Sequence, residues 1–315
     1  MSKKLKFIYM AGGASYTIEP LKTIIKSKHK LIHVFTKPPK PSGRGKKILK
    51  NPLQNFLDKN QISYSNPKNL KVEEEQKKIK LMQPDLILVF SYGYILPQTV
   101  LSIPKYGCLN IHASLLPKWR GASPVQYSLL NNEKKTGFSL IIMNKNVDEG
   151  KLLYKKSIAI EDNDNTLSLL EKITNLACNS IIKVMEEFVS GNIVGKEQNH
   201  KDATYTNIIN KKETYLDFRQ NADIIMGKVR AYNPNPGAKC FINGELVKIL
   251  EARKEILKNN KNLPGTIIDE KLLIACQEDG IRPLVLQREG KKPLKLLDAL
   301  NGWKILPGSS VKSRV

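Results

Sequence analysis

Leu86-Ile87-Leu88-Val89-Phe90 and Cys108-Leu109-Asn110-Ile111-His112 are the two runs on which the reading of this chain turns. Each is short and largely apolar, which predicts a strand buried on both faces. Lys6–Met10 (KFIYM), Leu31–Phe35 (LIHVF) and Phe138–Met143 (FSLIIM) have the same character. Amphipathic stretches such as Pro20–Ser27 and Val72–Met82 lie between them. Near-continuous apolar strands alternating with helices predict an α/β fold with a mostly parallel sheet covered on both faces. A long helix is expected over Thr166–Val189, with Leu167, Leu170, Ile173, Leu176 and Ala177 on one face.

The pattern then changes. Ser190–Asn207 is polar and is expected to be a linker. Beyond it, a helix near Ala222–Tyr232 precedes short strand-like pieces: Ala238–Ile242, Leu246–Glu251, Gly265–Asp269, Leu272–Cys276 and Leu284–Leu286. Asn243-Gly244 between the first two is a hairpin signal. Short strands separated by turn residues predict a small β-barrel. The 315 residues therefore divide into a domain at 1–189, a linker at 190–207 and a smaller domain at 208–315.

Composition narrows the classes of function. Hydrophobic residues make up 41% of the chain, enough for packed cores. No apolar run approaches the roughly 20 residues that span a bilayer. The basic, briefly apolar start Met1–Met10 lacks the longer apolar core of a signal peptide and is read as a first strand, so a cytosolic protein is expected. Cys108, Cys178, Cys240 and Cys276 are widely spaced, which suggests neither a zinc site nor a disulfide framework. The net charge is +23, from 52 Lys+Arg against 29 Asp+Glu. That surplus fits a polyanionic partner, or equally a lysine-rich compositional bias of the source. Its distribution is uneven: residues 1–50 carry thirteen Lys/Arg and a single acid, Glu19. Residues 205–315 carry twenty Lys/Arg and twelve acids.

Four histidines are present. His29 and His33 flank a basic helix–strand junction and are read as packing residues, and His200 as a solvated linker residue. His112 differs. It ends an apolar strand two residues after Asn110, so both side chains project to one side. Ligands of open parallel sheets bind beyond the carboxyl ends of the strands. Spacing alone leaves a structural Asn110–His112 pair as open as a catalytic one. The context adds a loop, Ala113–Ser123, with a helix expected to start at Pro124 after Ser123, and a later turn at Val147-Asp148-Glu149-Gly150. A carboxylate there could orient the imidazole.

Asn110-Ile111-His112-Ala113-Ser114-Leu115-Leu116-Pro117, then Arg120-Gly121-Ala122, Thr136-Gly137 and Asp148 with Gly150, resembles the folate-dependent formyltransferases. These use 10-formyltetrahydrofolate as donor. The resemblance implies a Rossmann-like first domain with a smaller OB-like β-barrel domain, and catalytic roles for Asn110, His112 and Asp148. It implies direct attack of an amine on the formyl carbon. Asn110 and His112 would donate to the charge building on the formyl oxygen, and Asp148 would orient His112 and help move a proton. No metal is implied. The folate pocket would be shaped by Ser114, Leu115, Leu116 and Pro117 and by Tyr92, Ile95 and Leu96 of the Ser91–Pro97 segment.

Further features resemble the members of that family whose acceptor is initiator methionyl-tRNA. Thr36–Lys47 (TKPPKPSGRGKK) is similar to their basic loop, which implies tRNA contacts by Arg44, Lys46 and Lys47. Arg230-Ala231-Tyr232-Asn233-Pro234, Lys291-Lys292 and Leu306-Pro307-Gly308 are similar to their second domain. The implied partners are initiator methionyl-tRNA and the folate donor, with a monomeric chain acting in translation initiation. One departure stands out. Where the family has a Gly-Thr-Pro-x-Phe-Ala turn after the first strand, this chain reads Gly12-Gly13-Ala14-Ser15-Tyr16-Thr17. Tyr16 is placed to substitute for the aromatic that helps enclose the methionyl side chain. Competing readings are an amino-sugar acceptor, water as acceptor, and an RNA-binding module without catalysis.

Overall fold

A strand with no polar face has to be covered on both sides. Leu86–Phe90 is buried at all five positions, and Lys6–Ala11 at all but its first. The computed structural model of the chain describes residues 4–42, 47–258 and 260–313. In chain order the strands are β1 (Lys6–Ala11), β2 (Lys30–Phe35), β3 (Lys40–Ser42), β4 (Lys47–Leu49), β5 (Tyr64–Ser65), β6 (Leu86–Phe90), β7 (Cys108–His112) and β8 (Arg120–Gly121). They continue as β9 (Lys135–Ile142), β10 (Leu152–Ala159), β11 (Tyr205–Thr206), β12 (Ala238–Ile242), β13 (Glu245–Glu255), β14 (Ile274–Ala275), β15 (Gly280–Arg288) and β16 (Leu294–Lys295). The α-helices are α1 (Ile18–Lys26), α2 (Pro52–Lys59), α3 (Glu73–Leu81), α4 (Gln98–Leu101), α5 (Pro124–Leu130), α6 (Thr166–Cys178), α7 (Ile181–Val189), α8 (Ala222–Tyr232) and α9 (Leu296–Leu300).

The chain divides into two compact units. The first takes residues 1–124, 135–158 and 170–206; the second takes 125–134, 159–169 and 207–315. The first unit holds a seven-stranded sheet in the order β10-β9-β7-β6-β1-β2-β5. The pairs β1–β2, β1–β6, β2–β5 and β6–β7 are parallel, and β9 runs antiparallel to β7. This is the doubly wound, Rossmann-like arrangement that the strand–helix alternation predicts. A core of Ile8, Met10, Phe35, Ile79, Ile87 and Val89 packs on one side, with Leu96, Val100 and Cys108. Helix α2 begins with a capping box: Asn51 accepts from Gln54 N, and the Gln54 side chain accepts from Asn51 N.

Two expectations need correction. The helix expected over Thr166–Val189 is two helices, α6 and α7, separated at Asn179-Ser180. Asn and Ser compete with the backbone for hydrogen bonds, and Ser180 N turns to Ala177 O at 2.9 Å. The buried face of α6 is Leu169, Ile173, Thr174 and Ala177, while Leu167 is exposed. The second correction concerns 190–207, which carries real structure. His200–Asp202 forms a 3₁₀ turn, and β11 pairs in parallel with β8 as part of the first unit. Strand β10 gave no signal because Lys155, Lys156 and Ser157 face solvent in succession.

The second unit has an antiparallel sheet in the order β12-β13-β15-β14, with β16 on β15. Asn243 and Gly244 form the β12–β13 hairpin with φ of +53° and +76°, the signature of a type I′ turn. The segment Gly265–Asp269, read as a strand, makes only isolated bridges, Thr266 to Ser310 and Ile267 to Ile274. Arg282 is the electrostatic centre of this unit. Its guanidinium donates to Glu255 Oε1 and Oε2 at 2.6 and 2.9 Å and to Asp269 Oδ1 and Oδ2 at 2.9 and 2.8 Å. Those hydrogen bonds hold both carboxyls below their ordinary range.

His29 and His33 are packing residues, as read. His29 Nδ1 accepts from Leu5 N at 3.2 Å, which places the ring proton on Nε2, 3.1 Å from Glu186. His33 sits between Ser65 Oγ at 2.8 Å and Ser63 Oγ at 3.3 Å. Burial pushes both imidazoles below their ordinary value of 6.5. The unfolded chain therefore takes up protons that the folded chain refuses, and stability falls as pH drops through about 6.5. The thermal midpoint is expected to decline between pH 7.5 and 5.5, and to decline less in a His29→Gln/His33→Gln double variant. An equal decline in both proteins would contradict this account.

Candidate active site

Asn110 and His112 stand at the carboxyl end of β7, the strand at which the parallel part of the sheet meets antiparallel β9. Their strand neighbours Leu109 and Ile111 are buried, and so is His112, at 5% exposure. The turn after β9 brings Asp148 onto them. Asp148 Oδ1 accepts from Asn110 Nδ2 at 3.2 Å, and Oδ2 lies 3.4 Å from His112 Nδ1. Oδ2 also accepts from Gly121 N at 2.9 Å. The other ring nitrogen, His112 Nε2, is 2.9 Å from the carbonyl oxygen of Trp119. Both ring nitrogens thus face oxygen atoms. Asn110 keeps a second amide N–H beyond the one given to Asp148, and its side chain is only partly buried.

The backbone around this cluster is unusual. Trp119 and Asp148 have φ of +61° and +55°, a region that residues other than glycine enter at a cost of about 1–3 kcal/mol. Gly121 has φ of +110°, and a Cβ there would stand 2.3 Å from Thr206 O. What holds this backbone is the stretch expected to be a linker. Trp119 N donates to Thr204 Oγ1 at 2.9 Å, and Arg120 N to Thr204 O at 2.9 Å. Thr206 Oγ1 accepts from Ser123 N and donates to Arg120 O, both at 3.1 Å.

Arg120 is fully buried. Its Nε and Nη2 donate to Gln198 Oε1 at 3.3 and 2.9 Å. Its Nη1 meets Glu149 Oε1 at 3.2 Å, His200 Nδ1 at 3.3 Å and Tyr205 Oη at 3.4 Å. His200 is exposed, as read, yet it partners a buried cation. Gln198 completes the set: its Nε2 donates to Asp148 O at 2.9 Å and Gly150 O at 2.8 Å. Gln198, Thr204 and Tyr205 were not singled out from the sequence. Their one signal is a run of hydrogen-bonding side chains in a segment that need not have been ordered.

The expected folate residues fall into two groups. Ser114 is buried and donates from Oγ to Lys118 O at 2.6 Å. Leu116 is buried, and its N–H goes to Ser139 Oγ at 3.0 Å, which in turn donates to Ser114 O at 2.8 Å. Tyr92 and Leu96 are buried as well, and burial keeps the Tyr92 phenol protonated far above its usual range. These four shape the loop more than they present side-chain surface. Ile95 is 71% exposed, and Leu115 and Pro117 are half-buried. The Ser91–Pro97 segment follows Phe90, which pairs with Ile111 of β7, so it borders Asn110 and His112. An exposed apolar side chain on a loop beside an amide donor fits a flat heteroaromatic donor carrying a carbonyl. Tyr16 lies at the same edge of the sheet, edge-on to Phe90 with ring centroids 5.6 Å apart and its hydroxyl 3.5 Å from Ser91 Oγ. Arg44 and Lys46 lie outside the described residues, and Lys47 starts β4. Among the described residues no group of His, Cys, Asp or Glu forms a metal cluster.

A largely parallel sheet with an imidazole, a carboxylate and an amide drawn together at its carboxyl edge has known counterparts. The chain matches the formyl transferase family over residues 5–185 and the formyl transferase C-terminal domain over residues 208–304. It is 40% identical over 305 residues to the methionyl-tRNA formyltransferase of Ehrlichia canis, covering 96% of this chain and 98% of that one. It is 32% identical over 312 residues to the enzyme of that name from Caldanaerobacter subterraneus, covering 98% and 100%. The chain belongs to the methionyl-tRNA formyltransferase family. Among solved structures, an N-formyltransferase from Helicobacter canadensis in complex with folinic acid and dTDP-3-aminofucose superimposes with a TM-score of 0.67 at 18% identity, covering 91% of this chain and 100% of that one. HypX from Aquifex aeolicus, in complex with tetrahydrofolic acid, gives 0.66 at 16% identity, covering 94% of this chain. The chain spans 46% of that longer protein, and at these identities the likeness is one of fold.

Ser139 tests the loop. Its hydroxyl serves Leu116 N and Ser114 O in a buried setting, so Ser139→Ala leaves two backbone groups unsatisfied at about 1–3 kcal/mol. A lowered thermal midpoint is expected together with weaker folate binding. A midpoint equal to that of the wild type would show that the loop holds without this bridge.

Proposed function

We propose that this protein transfers a formyl group from 10-formyltetrahydrofolate to the α-amino group of methionine on initiator methionyl-tRNA, a step of translation initiation. The observation that carries the reading is the Asp148 carboxylate joined at once to Asn110 and His112 at the end of β7. The similarity to curated methionyl-tRNA formyltransferases over nearly the whole chain supports the choice of acceptor.

The folate supplies an activated formyl group on its N10. The chain's own residues then have three tasks. Asn110 donates its remaining amide N–H to the formyl oxygen as negative charge builds there; a donor of this kind is worth about 2.7–4 kcal/mol of barrier. His112, held between Asp148 and Trp119 O, is the second donor toward that oxygen. A ring N–H turns from its present acceptor to the substrate, as catalytic hydrogen bonds tighten only when substrate arrives. Asp148 orients His112 and relays the proton that the attacking amine loses to the departing N10. Ser114, Leu115, Leu116 and Pro117, with Tyr92, Ile95 and Leu96, form the wall against which the donor lies.

The acceptor is a polyanion, and the charge is placed accordingly. Arg44, Lys46 and Lys47 of the basic stretch contact the tRNA. Residues 208–315 add phosphate contacts that position the tRNA, while residues 1–189 carry the chemistry with the 190–206 segment folded onto them. The protein acts as a monomer in the cytosol; no described helix is long and apolar enough to cross a membrane.

The deciding assay follows labelled formyl from the donor into formyl-methionine on charged initiator tRNA. Transfer to a sugar nucleotide or to water instead would overturn the reading. His112→Ala is expected to lower kcat by orders of magnitude and leave tRNA affinity near its original value. Arg44→Ala is expected to raise KM for tRNA and spare kcat. Equal losses of both kinds from both variants would contradict this division of roles.

A further inference from the structure

We propose that Gln198 is a positioning residue for the active site: anchored by buried Arg120, it fixes where the Asp148 carboxylate stands. This rests on the formyl-transfer reading above.

The argument starts from Arg120. A guanidinium with no exposed surface has five N–H groups to satisfy and one charge to neutralise. Glu149 supplies the opposite charge, and Gln198 Oε1 takes two of the donors. That settles which way the Gln198 amide points, because its NH₂ group would be repelled by the guanidinium. The NH₂ end must then face the two carbonyls of Asp148 and Gly150, at 2.9 and 2.8 Å. Gln198 therefore grips the turn from its backbone side while Gly121 N, Asn110 and His112 meet the carboxylate on the other. Asp148 sits in the left-handed region at φ +55°, a conformation that does not persist unless its surroundings impose it. Gly150, two residues on, leaves no slack: a Cβ there would fall 1.8 Å from Ile142 O. The turn is fixed at its backbone, and the carboxylate inherits that position.

Substituting Gln198→Glu separates positioning from mere packing. The shape is kept, and Arg120 gains a second carboxylate partner, so the protein is expected to fold. One carboxylate oxygen now confronts the carbonyls of Asp148 and Gly150 with no proton to donate, and the turn must move away. A displacement of about 1 Å at the reacting groups can cost about 100-fold in rate, so kcat is expected to fall about 10- to 100-fold with KM for tRNA little changed. Gln198→Ala, which removes both ends of the bridge, is expected to lower the midpoint as well.

Crystal structures of the wild type and of Gln198→Glu are compared alongside the kinetics. The expected result is loss of the Asp148–Gly121 hydrogen bond in the variant. An Asp148 that keeps its place, or a wild-type kcat in Gln198→Glu, overturns the proposal. If the wild type itself fails to formylate methionyl-tRNA, the functional reading falls, while the structural comparison still decides what Gln198 does.

Discussion

The turn that carries Asp148 and the loop before Gly121 are tied together at the carboxyl edge of the first unit by one buried cation. Moving a guanidinium out of water costs several kcal/mol unless its charge is balanced and its donors are met. For Arg120 the partners come from two separate places in the chain: Glu149 from the turn after β9, and Gln198, His200 and Tyr205 from the segment that ends in β11. Satisfying Arg120 therefore draws the 117–123 loop, the 147–150 turn and the 198–206 segment together. Asn110 and His112 then meet Asp148 as a consequence. The second unit repeats the device with Arg282, Glu255 and Asp269, which tie β15 to β13 and to the bend before β14. Arginine suits both places because its planar fork can serve several acceptors at once where a lysine ammonium cannot.

The sheet does a different job. Parallel strands align their carboxyl ends, so β1, β6 and β7 all release their chain at one edge. Tyr16, the Ser91–Pro97 segment and the Asn110–His112 pair emerge there together, although they are far apart in sequence. The opposite end of the same strands holds His29, whose ring nitrogens are committed to Leu5 and Glu186. Two histidines of similar burial thus have different prospects. His29 bridges a backbone amide and a carboxylate in a packed junction. His112 faces a carboxylate and a carbonyl at the carboxyl edge of the sheet.

Much of the site was legible because strands have a period of two. Asn110 and His112 had to share a face, and a polar pair on a buried strand demands a partner or a use. The loop Ser114–Pro117 could be read from its resemblance to a known signature. The break between α6 and α7 was less visible, since Asn179-Ser180 is a weak signal within a long amphipathic run. The order within 190–207 was not legible for a definite reason. Polar side chains mark a solvated linker when they face water, and they mark a clamp when a buried cation and strained backbone need donors and acceptors. Local composition is the same in both cases.

The sequence by itself determined the strand–helix alternation, the hairpin at Asn243-Gly244, and the three residues Asn110, His112 and Asp148 that the resemblance marks as catalytic. These follow from periodicity, turn chemistry and ordered motifs, all of them properties of neighbours along the chain. Only the tertiary structure decided that His112 Nε2 is held by Trp119 O, that Arg120 has no exposed surface, and that Gln198 grips the turn carrying Asp148. Hydrogen bonds spanning 50 and 78 residues leave no periodic trace. They exist because burying one charge obliges distant segments to supply its partners.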